Sequence, residues 1–387
     1  MTFLKESGKN REIQILRGIS IAFVLIQHYG PTLPVPLWYY RLMDATSFRS
    51  GVDLFFVISG FVISRSISNT AIPGGRLDRA AFVRFWVRRV FRLMPAAWLW
   101  AILAVATGLF VSSMDFMQPW LILKGAIAGM FGYSNFLWAE CLSHNTIGST
   151  CPNLYSTSIY WSLSLEEQFY VALSLMLLVL TLRVAALCGV VAAFALHATG
   201  DDTYVYFFRF ESMVAGVCLY WLTTTPGYRA SRRLVRYLVL RRALLAAAII
   251  AIATSPIISH QHAVVIVAMA ATVAVWICSF DSTLPESKLW CAFEWLGDRS
   301  YSLYLCHLPV FIVVRELMIR VGAKEYWDGA PLIFCVIPFV IGAALLIANL
   351  TYRLVELPFA RRGRAISEHK DHAAIPVSPA SMPPTHH

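Results

Sequence analysis

Residues 331–352 read P-L-I-F-C-V-I-P-F-V-I-G-A-A-L-L-I-A-N-L-T-Y, with no Asp, Glu, Lys, Arg or His among them. About 20 apolar residues, rising ~1.5 Å each as a helix, match the roughly 30 Å hydrocarbon core of a bilayer. Arg353 follows at once, at the place where a basic side chain reaches the interface. Working outward from this stretch, comparable runs recur at about 18–30, 51–65, 93–111, 119–139, 161–182, 184–200, 204–222, 243–259, 262–280 and 297–319. The chain of 387 residues is 58% hydrophobic and 14% charged, whereas soluble domains average about 45–50% apolar and about 25% charged. That composition excludes a soluble enzyme, a disordered chain and a coiled coil. The formal charge of +10 would suit nucleic acid, but the Lys and Arg gather between apolar runs, as they do in membrane proteins. No nucleic-acid partner is therefore expected.

The basic clusters are the N-terminal tail, Arg76 to Arg92, Arg229 to Arg242, and Arg361 to Arg364. Placing all four in the cytoplasm puts both termini there. Eleven full crossings would put the C-terminus outside. Run 119–139, interrupted by Lys124, Gly125, Gly129, Gly132 and Asn135, is the weakest of them. The fold expected is thus an all-α polytopic membrane protein with about ten transmembrane helices and one re-entrant or interfacial segment. The first run holds Arg17, Gln27 and His28 and lacks a small-residue cleavage site, so it reads as a retained helix and not a leader. The outer loop 140–159 contains Cys141 and Cys151, which are either bridged or free thiols. Residues 1–362 read as one membrane domain and 363–387 as a disordered cytoplasmic tail.

Ionisable groups within apolar runs are costly and point to function. From Arg17 to His28 the helix advances three turns plus about 20° and roughly 16 Å, so a cation and a proton acceptor share one face at opposite depths. Asp53 lies near the depth of His28, with Gly60 on its face open to close helix approach. It either caps its helix or orients an imidazole. In W-S-L-S-L-E-E-Q-F-Y, from Trp161, the residues Ser162, Glu166, Phe169 and Tyr170 share a face. Arg84, Arg88 and Arg92 form a stripe with Arg89 beside it, suited to phosphates of a cofactor or of lipid head groups. Ser300, Tyr304 and His307 stack on one face; Tyr352 and Glu356 share another; Arg209 and Glu211 interrupt run 204–222; each alone also fits an internal ion pair or a kink site. No GxSxG, HExxH, Walker or CxxC motif is present, and no metal is expected.

Six stretches together carry a resemblance: R-G-I-S-I-A-F-V-L-I-Q-H, G-V-D-L-F-F-V-I-S-G-F, R-R-V-F-R-L-M-P, W-S-L-S-L-E-E-Q-F-Y, S-Y-S-L-Y-L-C-H-L-P and Y-R-L-V-E-L-P. In this order, over the chain to about residue 362, they resemble the acyltransferase 3 family of integral membrane acyltransferases. The resemblance implies about ten spans and transfer of an acyl group, usually acetyl, from cytoplasmic acyl-CoA to a hydroxyl beyond a bacterial inner membrane. Acceptors in such proteins are mostly carbohydrates or glycolipids. It implies His28 as catalytic base, Asp53 and Glu166 as the carboxylates of their blocks, and Arg17 as an aid to the donor. Arg88, Arg89 and Arg92 join Arg17 as expected donor-binding residues, with Tyr170, Tyr304 and His307 as substrate-binding ones. Cys306 departs from the aromatic common before the late histidine. The competing class is a secondary transporter of a small anionic or sugar solute, which would also hold carboxylates and a histidine at mid-depth.

Overall fold

A computed structural model describes residues 9–69, 76–111, 118–147, 149, 151, 157–197, 202–258, 263–322 and 330–373. Among them the chain is helical with no strand, apart from one isolated bridge between Ile147 and Cys151. The order is α1 (Arg11–Tyr29), α2 (Leu37–Ala45), α3 (Gly51–Ser68), α4 (Arg79–Phe110), α5 (Pro119–Met130), α6 (Ser134–Ser143), α7 (Tyr160–Val179), α8 (Leu182–His197), α9 (Asp202–Phe208), α10 (Glu211–Thr223), α11 (Pro226–Leu234), α12 (Leu238–Ile258), α13 (Ala263–Cys278), α14 (Lys288–Asp298), α15 (Ser300–Arg320), α16 (Ala330–Thr351) and α17 (Leu357–Ala373). Among the described residues seven membrane-spanning candidates, by length and apolar composition, start at Phe48, Arg79, Tyr160, Val205, Leu238, Ser300 and Phe334. Pro119–Met130, Leu182–Leu196 and Ala263–Cys278 are shorter apolar helices.

Local chemistry sets the helix starts. Asn10 accepts from Ile13 N at 2.8 Å at the head of α1, and Asp78 accepts from Ala81 N at 2.6 Å at the head of α4. The doubtful run 119–139 is split into α5 and α6 by a turn in which Gly132 has φ +70°, a conformation that glycine adopts without strain. Run 204–222 is likewise split, between α9 and α10, by Arg209 and Phe210. Cys141 and Cys151 are joined as a disulfide, with their Cα atoms 5.8 Å apart. This bridge closes the loop that leads from α6 toward α7.

The expectation of a disordered tail from residue 363 needs correction over its first part. Beyond α16 the helix widens into a π turn, Tyr352–Glu356, and α17 carries it on to Ala373. Gly363 lies so close to Phe91 of α4 that an added Cβ would stand 2.6 Å from the Phe91 Cβ, which shows that this segment is packed. Residues 374–387 lie outside the described residues.

Helix α15 is the hub. In its apolar window 78% of positions are buried, against 28% for the windows of α12 and of the segment from Phe334. Its polar face therefore looks onto protein. Helices α3 and α10 meet through reciprocal glycines: a Cβ on Gly60 would stand 2.0 Å from Met213 O, and one on Gly216 2.2 Å from Val57 O. No side chain fits either space while the backbones hold their distance. We expect Gly60→Val to force these helices apart and to cut the yield of folded protein at least several-fold, read by size-exclusion chromatography in detergent. A monodisperse Gly60→Val protein at wild-type yield would count against this packing.

Candidate functional site

His28 sits in the last turn of α1. Two contacts from α2 hold that turn: Tyr39 Oη donates to Ile26 O at 2.6 Å and accepts from Gly30 N at 3.2 Å. Burial pushes the Tyr39 phenol above its ordinary range, which keeps the proton that it donates. Across from α1, His307 of α15 brings Nε2 to 3.1 Å from His28 Nδ1, with ring centroids 5.1 Å apart. His307 is wholly buried. Its Nδ1 faces Tyr304 O at 2.8 Å and Leu303 O at 3.2 Å, both on its own helix.

The His28 ring opens into a cavity of about 390 Å³, its mouth included, which Gln27, Arg49, Trp161, Tyr206, Arg209 and Tyr304 also line. A second cavity, of about 780 Å³ on the same measure, lies toward Arg17. Arg17, Arg89 and Arg92 line it together with Ser59, Glu166, Ser300 and Tyr304. Val52 and Tyr304 are the residues that the two linings share. Tyr304 is held at this neck by Ser162 Oγ, at 2.7 Å, and by donation to Ile159 O at 3.1 Å. The two cavities, one lined by His28 with Arg49 and Arg209 and the other by Arg17, Arg89 and Arg92, thus meet at Val52 and Tyr304.

The site residues expected from sequence sort into three groups. Arg17, Arg89 and Arg92 converge on one cavity, whereas Arg88, half-buried on the same helix, is not among its lining residues. Glu166 accepts from Ser59, Tyr170 and Arg89, the Arg89 Nη2 contact being 3.4 Å, and the Arg89 guanidinium lies 4.0 Å over the Tyr170 ring. Glu356 of the π turn accepts from Ser302 at 2.8 Å and lies within Coulombic reach of Arg17 and Arg92. Asp53 does not pair with an imidazole. Its Oδ1 is 3.4 Å from Arg209 Nε, and both side chains are buried, 4% and 7% exposed. Arg209 also stacks over Tyr206, at 4.5 Å, and Trp161, at 5.2 Å. The sequence marks Arg209 as an interruption that could be an internal ion pair or a kink site, without naming Asp53 as its partner. The available signal was an acid in run 51–65 and a base in run 204–222, of opposite sign. Among the described residues no group of three His, Cys, Asp or Glu side chains is placed to hold a metal ion.

A family profile described as an acyltransferase domain matches residues 10–349. The chain belongs to the acyltransferase 3 family. Similar proteins include one from Bacillus subtilis whose name proposes peptidoglycan O-acetylation, 28% identical over 343 residues, covering 81% of this chain and 50% of that one. The O-acetyltransferase OatA of Staphylococcus aureus is 26% identical over 340 residues, with 81% and 53% covered. A second Staphylococcus aureus protein, provisionally named an O-acetyltransferase, is 26% identical over 376 residues, with 90% and 57% covered. This acyltransferase chain spans about half the length of the curated relatives it matches. No solved structure matches it significantly.

Proposed function

We propose that this acyltransferase 3 chain is a bacterial inner-membrane O-acetyltransferase that takes acetyl groups from cytoplasmic acetyl-CoA and transfers them to a hydroxyl of a carbohydrate or glycolipid on the outer side. The observation that carries the reading is the pair of cavities that share Val52 and Tyr304, one lined by Arg17, Arg89 and Arg92 and the other reaching His28. A phosphorylated donor fits the guanidinium end, because charge-assisted bonds from Arg17, Arg89 and Arg92 match phosphate oxygens. The thioester arm then passes Tyr304 at the neck toward His28. There His28 takes the proton of the acceptor hydroxyl as its oxygen attacks the thioester carbonyl; the C–S bond breaks, and the proton passes to the leaving thiolate. The acceptor class rests on the names of the relatives, which point to peptidoglycan O-acetylation and O-acetyl transfer. Adding α1, α8 and α13 to the seven long candidates makes ten crossings, with α5 and α6 as the non-spanning segment. This count keeps both termini in the cytoplasm and the Cys141–Cys151 loop outside, in an oxidising compartment.

The test is a comparison of cell-envelope glycans by mass spectrometry with and without the chain, at matched expression. Loss of one acetyl mass per repeat on deletion is the expected result, and identical glycans overturn the assignment. The donor end has its own check. Arg92→Gln removes one charge-assisted phosphate contact, worth roughly 1.5–3 kcal/mol. We expect KM for acetyl-CoA to rise about ten-fold or more in membrane vesicles, with kcat little changed. A fall in kcat at unchanged KM would place Arg92 elsewhere in the reaction.

A further inference from the structure

We infer that His307 is a positioning residue for His28: it fixes the tautomer that leaves His28 Nε2 as the free base. Three hydrogen bonds fix where the ring protons sit. His307 Nδ1 faces the carbonyls of Tyr304 and Leu303 at 2.8 and 3.2 Å. A carbonyl oxygen only accepts, so this nitrogen carries the ring proton. A neutral imidazole has one such proton, so His307 Nε2 presents a lone pair. His28 Nδ1, 3.1 Å away, must then donate to it. This uses the single ring proton of neutral His28 and leaves its Nε2 unprotonated, on a ring that lines the outer cavity.

Charging His307 instead would put a cation on a wholly buried ring packed against Tyr304 and Phe311, with no carboxylate bonded to it. The carboxylates that could have oriented His28 are engaged elsewhere, Asp53 with Arg209 and Glu166 with Ser59, Tyr170 and Arg89. A neutral imidazole therefore does here what a buried carboxylate does in many acid–base sites. It holds the base by its inner nitrogen and accepts from the imidazolium that forms when the base takes a proton. The carbonyl of Val24, one turn before His28, also lies within hydrogen-bonding reach of the His28 ring, so the experiment has to separate its contribution from that of His307.

The tautomer assignment stands on geometry alone; its kinetic consequence rests on the proposed transfer reaction. The test uses the full chain, labelled with 15N-histidine and reconstituted in lipid at pH 7.5, with the His28 signals assigned by their loss in His28→Gln. Ring nitrogens with and without a proton differ widely in 15N shift. The wild-type protein should show His28 as the Nδ1–H form. His307→Leu should move a large share of His28 to the Nε2–H form, and transfer should fall by ten-fold or more. His307→Gln, whose amide oxygen can stand where the Nε2 lone pair was, should restore both. Finding His28 protonated on Nε2 in the wild type overturns the inference. So does a folded His307→Leu protein that keeps His28 wholly in the Nδ1–H form, because the Val24 carbonyl would then be what fixes the ring. The proposed transfer could fail in the glycan comparison while the spectra still show the assigned tautomer, so the two claims fail separately.

Discussion

Replacing His28 by alanine lowers transfer by about 10²–10⁴-fold at matched expression, the range that loss of a general base produces. The side chain is only half-buried at the end of α1. Tyr39 clamps the same turn through backbone groups, which the substitution leaves in place. The variant should therefore insert and melt like the wild type while its glycans lack the acetyl mass. An active His28→Ala protein removes the base assigned here. Undiminished transfer with a lost His307 effect would leave both imidazoles as packing.

Asp53→Ala should fail for a different reason. It strips the paired carboxylate from Arg209, whose side chain is 7% exposed and lies among Trp161 and Tyr206. Breaking a buried pair from one side costs about 3–5 kcal/mol, because the remaining charge stays desolvated. A polytopic protein of ordinary stability loses much of its folded population at that cost. Thermal unfolding in detergent should show a melting temperature many degrees lower, with inactivity following from unfolding. The double variant Asp53→Leu/Arg209→Met, which removes both charges, should regain most of the stability. If Asp53→Ala melts like the wild type and loses only transfer, the carboxylate acts in the chemistry and the pairing with Arg209 is incidental.

The contrast between these residues shows what a single sequence discloses. Relations within one helix follow from 100° per residue. Arg17 and His28 do share the interior side of α1, Glu166 and Tyr170 do meet one turn apart, and Ser300, Tyr304 and His307 do line one face of α15. The break in run 119–139 was legible from its glycines, one of which adopts the left-handed conformation at the turn. Relations between helices were not legible. His28 and His307 are 279 residues apart in the chain, and nothing in either segment names the other. Asp53 looked like a cap or an imidazole partner because the base of its own helix, Arg65, lies about three turns away; Arg209 arrives from the break between α9 and α10. The π turn at Tyr352–Glu356 has no period to read, since it widens an otherwise continuous apolar helix. The packed start of the C-terminal segment was hidden by its charge, which in α17 covers one face while Gly363 meets α4 on the other.

The neck at Val52 and Tyr304 has a bioenergetic consequence. The two cavities share Val52 and Tyr304, so on the proposed topology these side chains would stand between the two faces of the membrane. Each elementary charge falling through 100 mV releases about 2.3 kcal/mol, so a leak at this point would drain the gradient that powers the cell. If the proposed transfer holds, a waist lined by the buried Tyr304 phenol and Val52 would have to pass a slender acyl arm while stopping hydrated ions. Replacing both by glycine would then be expected to harm the host through proton conductance, whether or not transfer survives.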